Sequence, residues 1–232
     1  VSAPSIFGNT RTGNALKGAV LTGLVSRSSR TAEVHRLVRD AHTPEKDFPE
    51  SIEHDRAQVL GAQAGFAFVS GGQADWLDLL RPLCSALDGI DKRSSGGEDA
   101  VGPVTRWYRT NTFYRKPRVA QRIEASNACN IADFLPKVDG GVAFLPGPYT
   151  FSRLIENSFY ADAGELAIDY CKALEKNASA LKAKGYALLL LLEPSVGYDS
   201  SKKAFKKPVW YEDAVAAAKA PGLRLGFHFP LA

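Results

Sequence analysis

The sequence predicts an α/β protein of the (β/α)8 TIM-barrel type, cut short or completed by something else, with a β-hairpin inserted near residues 104–119. Three observations predict it. Short apolar runs recur along the chain and alternate with stretches of helical spacing, the rhythm of a parallel sheet covered by helices. No G-x-G-x-x-G or Walker sequence follows any of these runs, which makes dinucleotide-binding and P-loop versions of such a sheet unattractive. Ile6, Phe66, Val119, Val142, Leu188 and Leu225 mark six strands in 232 residues, against the eight strands and about 250 residues of a typical closed barrel.

Each element has its own justification. After an apolar start at residues 5–8, helical spacing over 15–38 leads to Thr43-Pro44 and a second helix over 49–64, stopped by Gly65. Residues 66–69 form a short apolar strand bounded by Gly71-Gly72, and Trp76, Leu77, Leu79, Leu80 and Leu83 follow at helical spacing. Alternation around the polar turn Thr110-Asn111 predicts a hairpin over 104–119, projecting from the sheet. The alternation resumes with a strand over 118–124, a helix over 131–138, and a strand over 141–145 stopped by Pro146-Gly147-Pro148. A long helix over 162–184 carries Leu166, Tyr170, Leu174 and Leu181 on one face and ends at Gly185, where a left-handed cap is expected. A buried strand over 186–191, a helix over 210–218 and a strand over 223–229 complete a single domain, 1–232.

Composition narrows the function classes. A net charge of +4 from 29 basic and 25 acidic residues, evenly mixed, does not indicate nucleic-acid binding. The longest apolar run, 186–192, ends at Glu193, far short of the roughly 18 residues of a membrane span. With no basic and apolar leader at Val1-Ser2-Ala3-Pro4, the expected compartment is the cytoplasm. A chain without methionine that begins at Val1 is expected to be a trimmed one or one that omits selenomethionine positions. Cys84, Cys129 and Cys171 are scattered and odd in number, which argues against a disulfide framework or an all-cysteine zinc site.

Four segments carry a family likeness: Leu145-Pro146-Gly147-Pro148-Tyr149-Thr150-Phe151; Leu191-Leu192-Glu193-Pro194-Ser195; Gln63-x-Gly65-Phe66 through Gln73 with Trp76 and Asp78; and Thr105-Arg106 with Phe113 to Pro117. In these, and in Ile6-Phe7-Gly8-Asn9, the chain resembles the cobalamin-independent methionine synthase family, in its compact archaeal-type or N-terminal-half-like form. The resemblance implies a zinc-dependent (β/α)8 barrel that moves a methyl group to homocysteine sulfur. It implies an amino-acid substrate held by Gly8, Asn9, Gln73, Trp76, Arg106, Tyr149, Thr150 and Glu193, and a methyl donor on the side of the 146–151 loop.

The departures are specific. The family holds zinc with a His-x-Cys pair, a Glu and a second Cys; here the pair reads His228-Phe229-Pro230, so His228 remains as one ligand of an incomplete set. Leu192, Gly71 and Gln73 stand where the family has carboxylates that grip the substrate ammonium group. The resemblance therefore implies either a methyltransferase or, alternatively, a zinc-free barrel serving as a binding or scaffold subunit for a catalytic homologue, in a homo-oligomer or with a catalytic partner subunit.

Bland readings stand beside these. Glu193 at a strand end is a working group of a barrel, or a carboxylate paired with Lys202 or Lys203. The 146–150 turn offers backbone N–H groups to an anionic ligand, or is a tight turn with Thr150 as helix cap. Arg106, Arg109, Arg115, Lys116 and Arg118, interleaved with Trp107, Tyr108, Phe113 and Tyr114, form a cationic aromatic face for a pterin or nucleotide, or a solvated ribbon.

Overall fold

The computed structural model describes residues 57, 60, 61, 63, 64, 68–70, 80–91, 104–106, 108, 113–202, 205–219 and 223–228. The elements expected at 5–8 and 15–38, and most of the helix expected at 49–64, lie outside these residues. In chain order the described elements are α1 (Arg81–Ser85), β1 (Leu87–Ile90), β2 (Val104–Arg106), β3 (Phe113–Arg115), β4 (Arg118–Ala125), a 3-10 turn (Ile131–Phe134) and β5 (Gly141–Pro146). They continue with α2 (Pro148–Leu154), β6 (Glu156–Asn157), α3 (Ala163–Ala183), β7 (Tyr186–Leu192), α4 (Pro194–Ser200), α5 (Tyr211–Ala217) and β8 (Arg224–His228).

The parallel sheet runs β5-β7-β8, with Val69 bridged in parallel to Gly141 on the outer side of β5. The predicted strands around Val142, Leu188 and Leu225 thus lie side by side in chain order, and Val69, at the end of the strand predicted over 66–69, bridges to the first of them. Because side chains alternate along a strand, this sheet has two apolar faces. Leu145, Leu189 and Leu191 face the helices in the main core, while Val142, Phe144, Leu188, Leu190 and Leu192 form a second cluster with Phe68. The seven-residue apolar run of β7 needs both faces covered. Each fully buried leucine there contributes roughly 1.5–3 kcal/mol.

Helix α3 is the long crossover between β5 and β7, and its ends are as the sequence predicts. Asp162 caps it, accepting from the N–H groups of Gly164 (2.6 Å) and Glu165 (3.1 Å). Gly185 ends it at φ +92°, and a Cβ there would lie 1.9 Å from the Val138 carbonyl oxygen. Only glycine fits both demands. Leu166, Tyr170, Leu174 and Leu181 are buried along one face, and the Tyr170 ring stacks on Phe151 at 3.9 Å while its hydroxyl donates to the Pro146 carbonyl (2.7 Å). The helix is thereby tied to the end of β5. Among the described residues no helix is long and apolar enough to cross a membrane.

Three expectations are corrected. The strand marked by Val119 is not in the parallel sheet; β4 pairs antiparallel with β1 (Ile90↔Val119) and parallel with β6, forming a separate sheet beneath α3. The expected helix over 131–138 is a single 3-10 turn, because Pro136 has no N–H to continue it and Leu135 before it is extended (φ −125°, ψ 139°). Hairpin β2-β3 has the expected antiparallel pairing, Thr105 opposite Tyr114, yet it docks instead of projecting. Tyr114 is buried and its hydroxyl donates to the Leu154 carbonyl at the end of α2 (3.1 Å). The described residues make three small sheets of three, two and three strands, an α/β arrangement in which a complete (β/α)8 barrel is not shown.

Candidate functional site at the strand ends

Pairing of Pro146 with Leu192 and of Leu192 with His228 sets the ends of β5, β7 and β8 level. Glu193 and His228 are thus at the same end of the sheet, the end where barrel enzymes gather their polar groups.

Glu193 is fully buried. Its Oε1 accepts from the Tyr149 N–H (3.0 Å) and the Tyr211 hydroxyl (3.1 Å), and its Oε2 from the Thr150 N–H (2.7 Å). These N–H groups belong to the first turn of α2, where helix geometry leaves donors without partners and the dipole favours negative charge. Pro148 opens that helix, and Gly147 stands at the cap. The anion at this helix start is the protein's own Glu193. Burial raises its carboxyl above the usual range, and the bonds from Thr150, Tyr149 and Tyr211 only partly offset that. Gly147 makes the close approach possible: a Cβ there would sit 2.3 Å from the Glu193 carboxyl carbon.

Of the bland expectations for this region, the tight strand-to-helix turn is present between Pro146 and Pro148, while the Lys202 pairing and the Thr150 cap are corrected. Glu193 is not paired with Lys202, whose ammonium lies 2.5 Å from Asp199 Oδ1; Lys203 lies outside the described residues. Thr150 is not the helix cap. It occupies the third helical position, and its hydroxyl accepts from the Ser195 N–H (3.2 Å), tying α2 to α4.

A second polar group surrounds Asp199. It accepts from the Tyr149 hydroxyl (2.8 Å) and from Arg153 Nε (3.1 Å) on Oδ2, and from Lys202 on Oδ1. Burial pushes the Asp199 carboxyl up, but these partners outweigh it and hold it below the usual range. Burial and the bond to Asp199 push the Tyr149 phenol well up. The Tyr211 phenol is likewise raised, by burial and the adjoining Glu193. Tyr149, Trp210, Tyr211 and Phe227 form an aromatic row, with successive centroids 6.4, 6.2 and 6.4 Å apart. On the other side, Tyr108 from the hairpin donates its hydroxyl to Ser195 Oγ and stacks on Tyr198.

Of the residues expected around a substrate, Tyr149, Thr150 and Glu193 come together. Arg106 is exposed on β2, outside that buried cluster. Gly8, Asn9, Gln73 and Trp76 lie outside the described residues, and of His228 the structure gives the strand position. Sequence reasoning left out Gly147, Arg153, Asp199 and Tyr211. A signal for Gly147 existed, since a glycine between two prolines leaves room for a close neighbour; Tyr211 carried none, because it reaches Glu193 only through the docking of α5. Gln63, part of the quoted motif, has a structural task here: its amide exchanges hydrogen bonds with the backbone of Ser70 at 2.6 and 2.8 Å.

Zinc does not fit the described residues. No group of three or more His, Cys, Asp or Glu among them could hold a metal ion, and Glu193 already receives three donors from the protein itself. Cys171 is buried on α3, where its thiol is pushed up by burial, away from the thiolate a zinc site uses.

Fold and site together define a class: α/β proteins with a parallel sheet whose polar groups collect at the C-terminal strand ends. Within that class the likeness is to methionine synthases. No family model matches the chain. Over 100 residues it is 27% identical to a methionine synthase of Saccharolobus solfataricus, covering 41% of this chain and 30% of that protein. A B12-independent methionine synthase from Shewanella sp. W3-18-1, solved in complex with selenomethionine, matches with a TM-score of 0.58 at 17% identity, over 81% of this chain and 53% of that one. A Listeria monocytogenes protein assigned as a vitamin-B12-independent methionine synthase matches with a TM-score of 0.60 at 15% identity, over 86% and 62%. At such identities the solved structures share the fold. The chain spans about a third of the curated relative's length and somewhat over half of each solved one's.

Proposed function

We propose that this chain binds an amino acid of the homocysteine and methionine class at the C-terminal ends of its parallel strands, as part of a methionine-synthase-type transfer of a methyl group to homocysteine sulfur. The observation that carries this reading is the convergence of Tyr149, Thr150 and Glu193 with the hairpin's Tyr108 on one strand end, in a fold whose solved relatives include one holding selenomethionine. In this reading Glu193 fixes the 147–150 wall, Gly8, Asn9, Gln73, Trp76 and Arg106 complete the surroundings of the substrate, and the 146–151 loop faces the methyl donor. Holding the sulfur in line with the methyl group would be this chain's contribution to rate. Calorimetric titration with L-methionine, L-homocysteine and, as a control, L-leucine tests it: saturable binding of the first two and none of the third supports the site, and no binding of any of them refutes it.

A second reading is favoured by one feature. With the Glu193 oxygens filled by Tyr149, Thr150 and Tyr211, and proline following Phe229 where the family has a ligating cysteine, the chain suits a metal-free binding or scaffold subunit of a catalytic homologue. Elemental analysis of protein purified without chelator separates the two. One zinc per chain, lost in His228→Ala, favours the catalytic reading; methionine binding without zinc favours the scaffold.

A further inference from the structure

In its backbone Tyr108 is unlike every other described residue with a side chain. Among them it is the one non-glycine with positive φ, +49°, a region that costs a bulky side chain energy and that persists where its surroundings hold it. What holds it is visible. Its ring stacks on Tyr198 of α4 at 4.1 Å and 24°, and its hydroxyl donates to Ser195 Oγ in the first turn of the same helix. Ser195 is fully buried, and its N–H donates to Thr150 Oγ1, whose own N–H donates to Glu193. A continuous chain of hydrogen bonds therefore runs from the hairpin to the strand-end carboxylate. A second attachment, Tyr114 to the Leu154 carbonyl, fixes the hairpin's base to the far end of α2.

We infer that Tyr108 is a positioning residue that latches the hairpin strands Val104–Arg106 and Phe113–Arg115 beside the strand-end site, with Ser195 and Tyr198 as its seat, so that these strands support one wall of the amino-acid pocket. This rests on the proposed function for the identity of the ligand, but the latch itself is a property of the ligand-free protein. The left-handed backbone at position 108 turns the ring back toward α4, and the hydroxyl-to-hydroxyl link adds a directed tie to the ring stack on Tyr198 and the Tyr114 attachment. Removing either hydroxyl loosens the wall; removing both loosens it no further, because the two act on one another.

The test uses the full chain and the variants Tyr108→Phe, Ser195→Ala and the double variant, each first checked for unchanged far-ultraviolet circular dichroism and cooperative melting. Amide hydrogen exchange on the ligand-free proteins should quicken at 104–106 and 113–115 in all three, while β5 and β7 stay protected. The near-ultraviolet signal of the Tyr108 and Tyr198 pair should change together with it. Titration with L-methionine should show affinity reduced about three- to tenfold in each single variant, the scale of one lost hydrogen bond, and no further in the double variant. Should wild type bind methionine and Tyr108→Phe bind it equally well, the wall role is refuted. Additive losses in the double variant would refute the pairing. Where wild type binds no methionine, the proposed function falls and exchange alone decides the latch: unchanged protection of the hairpin overturns it, and a rise confined to the hairpin upholds it. If Ser195→Ala does not fold, Tyr108→Phe, which keeps the ring stack, carries the exchange and affinity measurements.

Discussion

Both oxygens of Glu193 are filled from inside the protein, and that decides what its replacement does. Glu193→Ala strips acceptors from two buried N–H groups, each worth about 1–3 kcal/mol when left without a partner, so a loss on the order of 2–5 kcal/mol is expected in urea unfolding. Glu193→Gln keeps the shape but sets an amide donor against those same donors, and a smaller loss is expected. The pH dependence has a definite sign. Because the folded-state carboxyl titrates above its ordinary value, its contribution is fully present below the unfolded-state value and is lost as pH rises through the folded-state value. Measured against wild type, Glu193→Gln should therefore lose ground as pH falls through that window and regain it as pH rises; a gap that widens with rising pH would refute the assignment. Little of this was legible in the sequence. A glutamate after a strand reads as a working group, and the donors that fill it come from a turn more than forty residues earlier.

At the level of elements, the short helices α2 and α4 are assembled around glycines and prolines whose purpose is spatial. Gly147 leaves room for the Glu193 carboxyl, and a methyl group there must displace it. Gly147→Ala should cost about 1–3 kcal/mol by overpacking. In a Glu193→Ala background, where the obstructing carboxyl is gone, the same substitution should cost clearly less; equal costs in the two backgrounds would place the strain elsewhere. Gly164 tells a similar story at the start of α3, where a Cβ would meet the Trp210 ring at 2.7 Å. Gly164→Ala should lower the melting temperature by loosening α5. Long elements were legible because their signals are redundant: α3 has an aspartate cap, an apolar stripe and a terminal glycine, all in agreement. Brief ones were not. Leu87-Asp88-Gly89-Ile90 shows no alternation to mark a strand, and its pairing depends on Gly89, whose Cβ would meet the Arg122 carbonyl oxygen at 2.3 Å. Pro136 should have ended the helix read over 131–138, and there an available signal outweighs the apolar spacing.

Across the whole molecule, α3 joins two sheets of different kinds, and one carboxylate fastens the outer one. Asp169 on α3 accepts from Arg122 of β4 (3.0 and 3.3 Å), from Lys172 (3.0 Å) and from the Tyr160 hydroxyl (3.1 Å). Tyr160 in turn accepts from the Ile123 N–H (2.7 Å), and burial helps push its phenol up to about 12. Burial raises Asp169, yet its partners more than offset this and leave it below the ordinary value. A depressed carboxyl contributes stability that is present above its unfolded-state value and lost as pH falls through the folded-state one. Asp169→Asn should thus be less stable than wild type at neutral pH, with the gap closing in acid; a gap independent of pH would show that packing, not charge, is what the substitution disturbs. The parallel strands were legible because the runs of β5 and β7 are apolar on both faces and each strand is separated from the next by a crossover. The antiparallel sheet was not, since the exposed face of β4, with Arg118, Gln121, Arg122 and Glu124, reads equally well as one more strand of the same sheet.

The level ends of β5, β7 and β8 have a consequence for how the chain acquires its site. Parallel neighbours cannot be closed by a tight turn, so each pairing must wait for a helix-bearing crossover to loop back, and the entropy of closing that loop is lost before any contact returns it. Helix α3, with its cap and stripe, is built from local contacts, whereas the meeting of Pro146, Leu192 and His228 is non-local and is expected to follow it. Until then the Glu193 carboxyl has no helix start to receive it and the β7 leucines lie open to other chains. The strand-end site is thereby assembled from contacts distant in sequence, and in pulse-labelled refolding the Tyr149 and Thr150 amides should gain protection after those of α3.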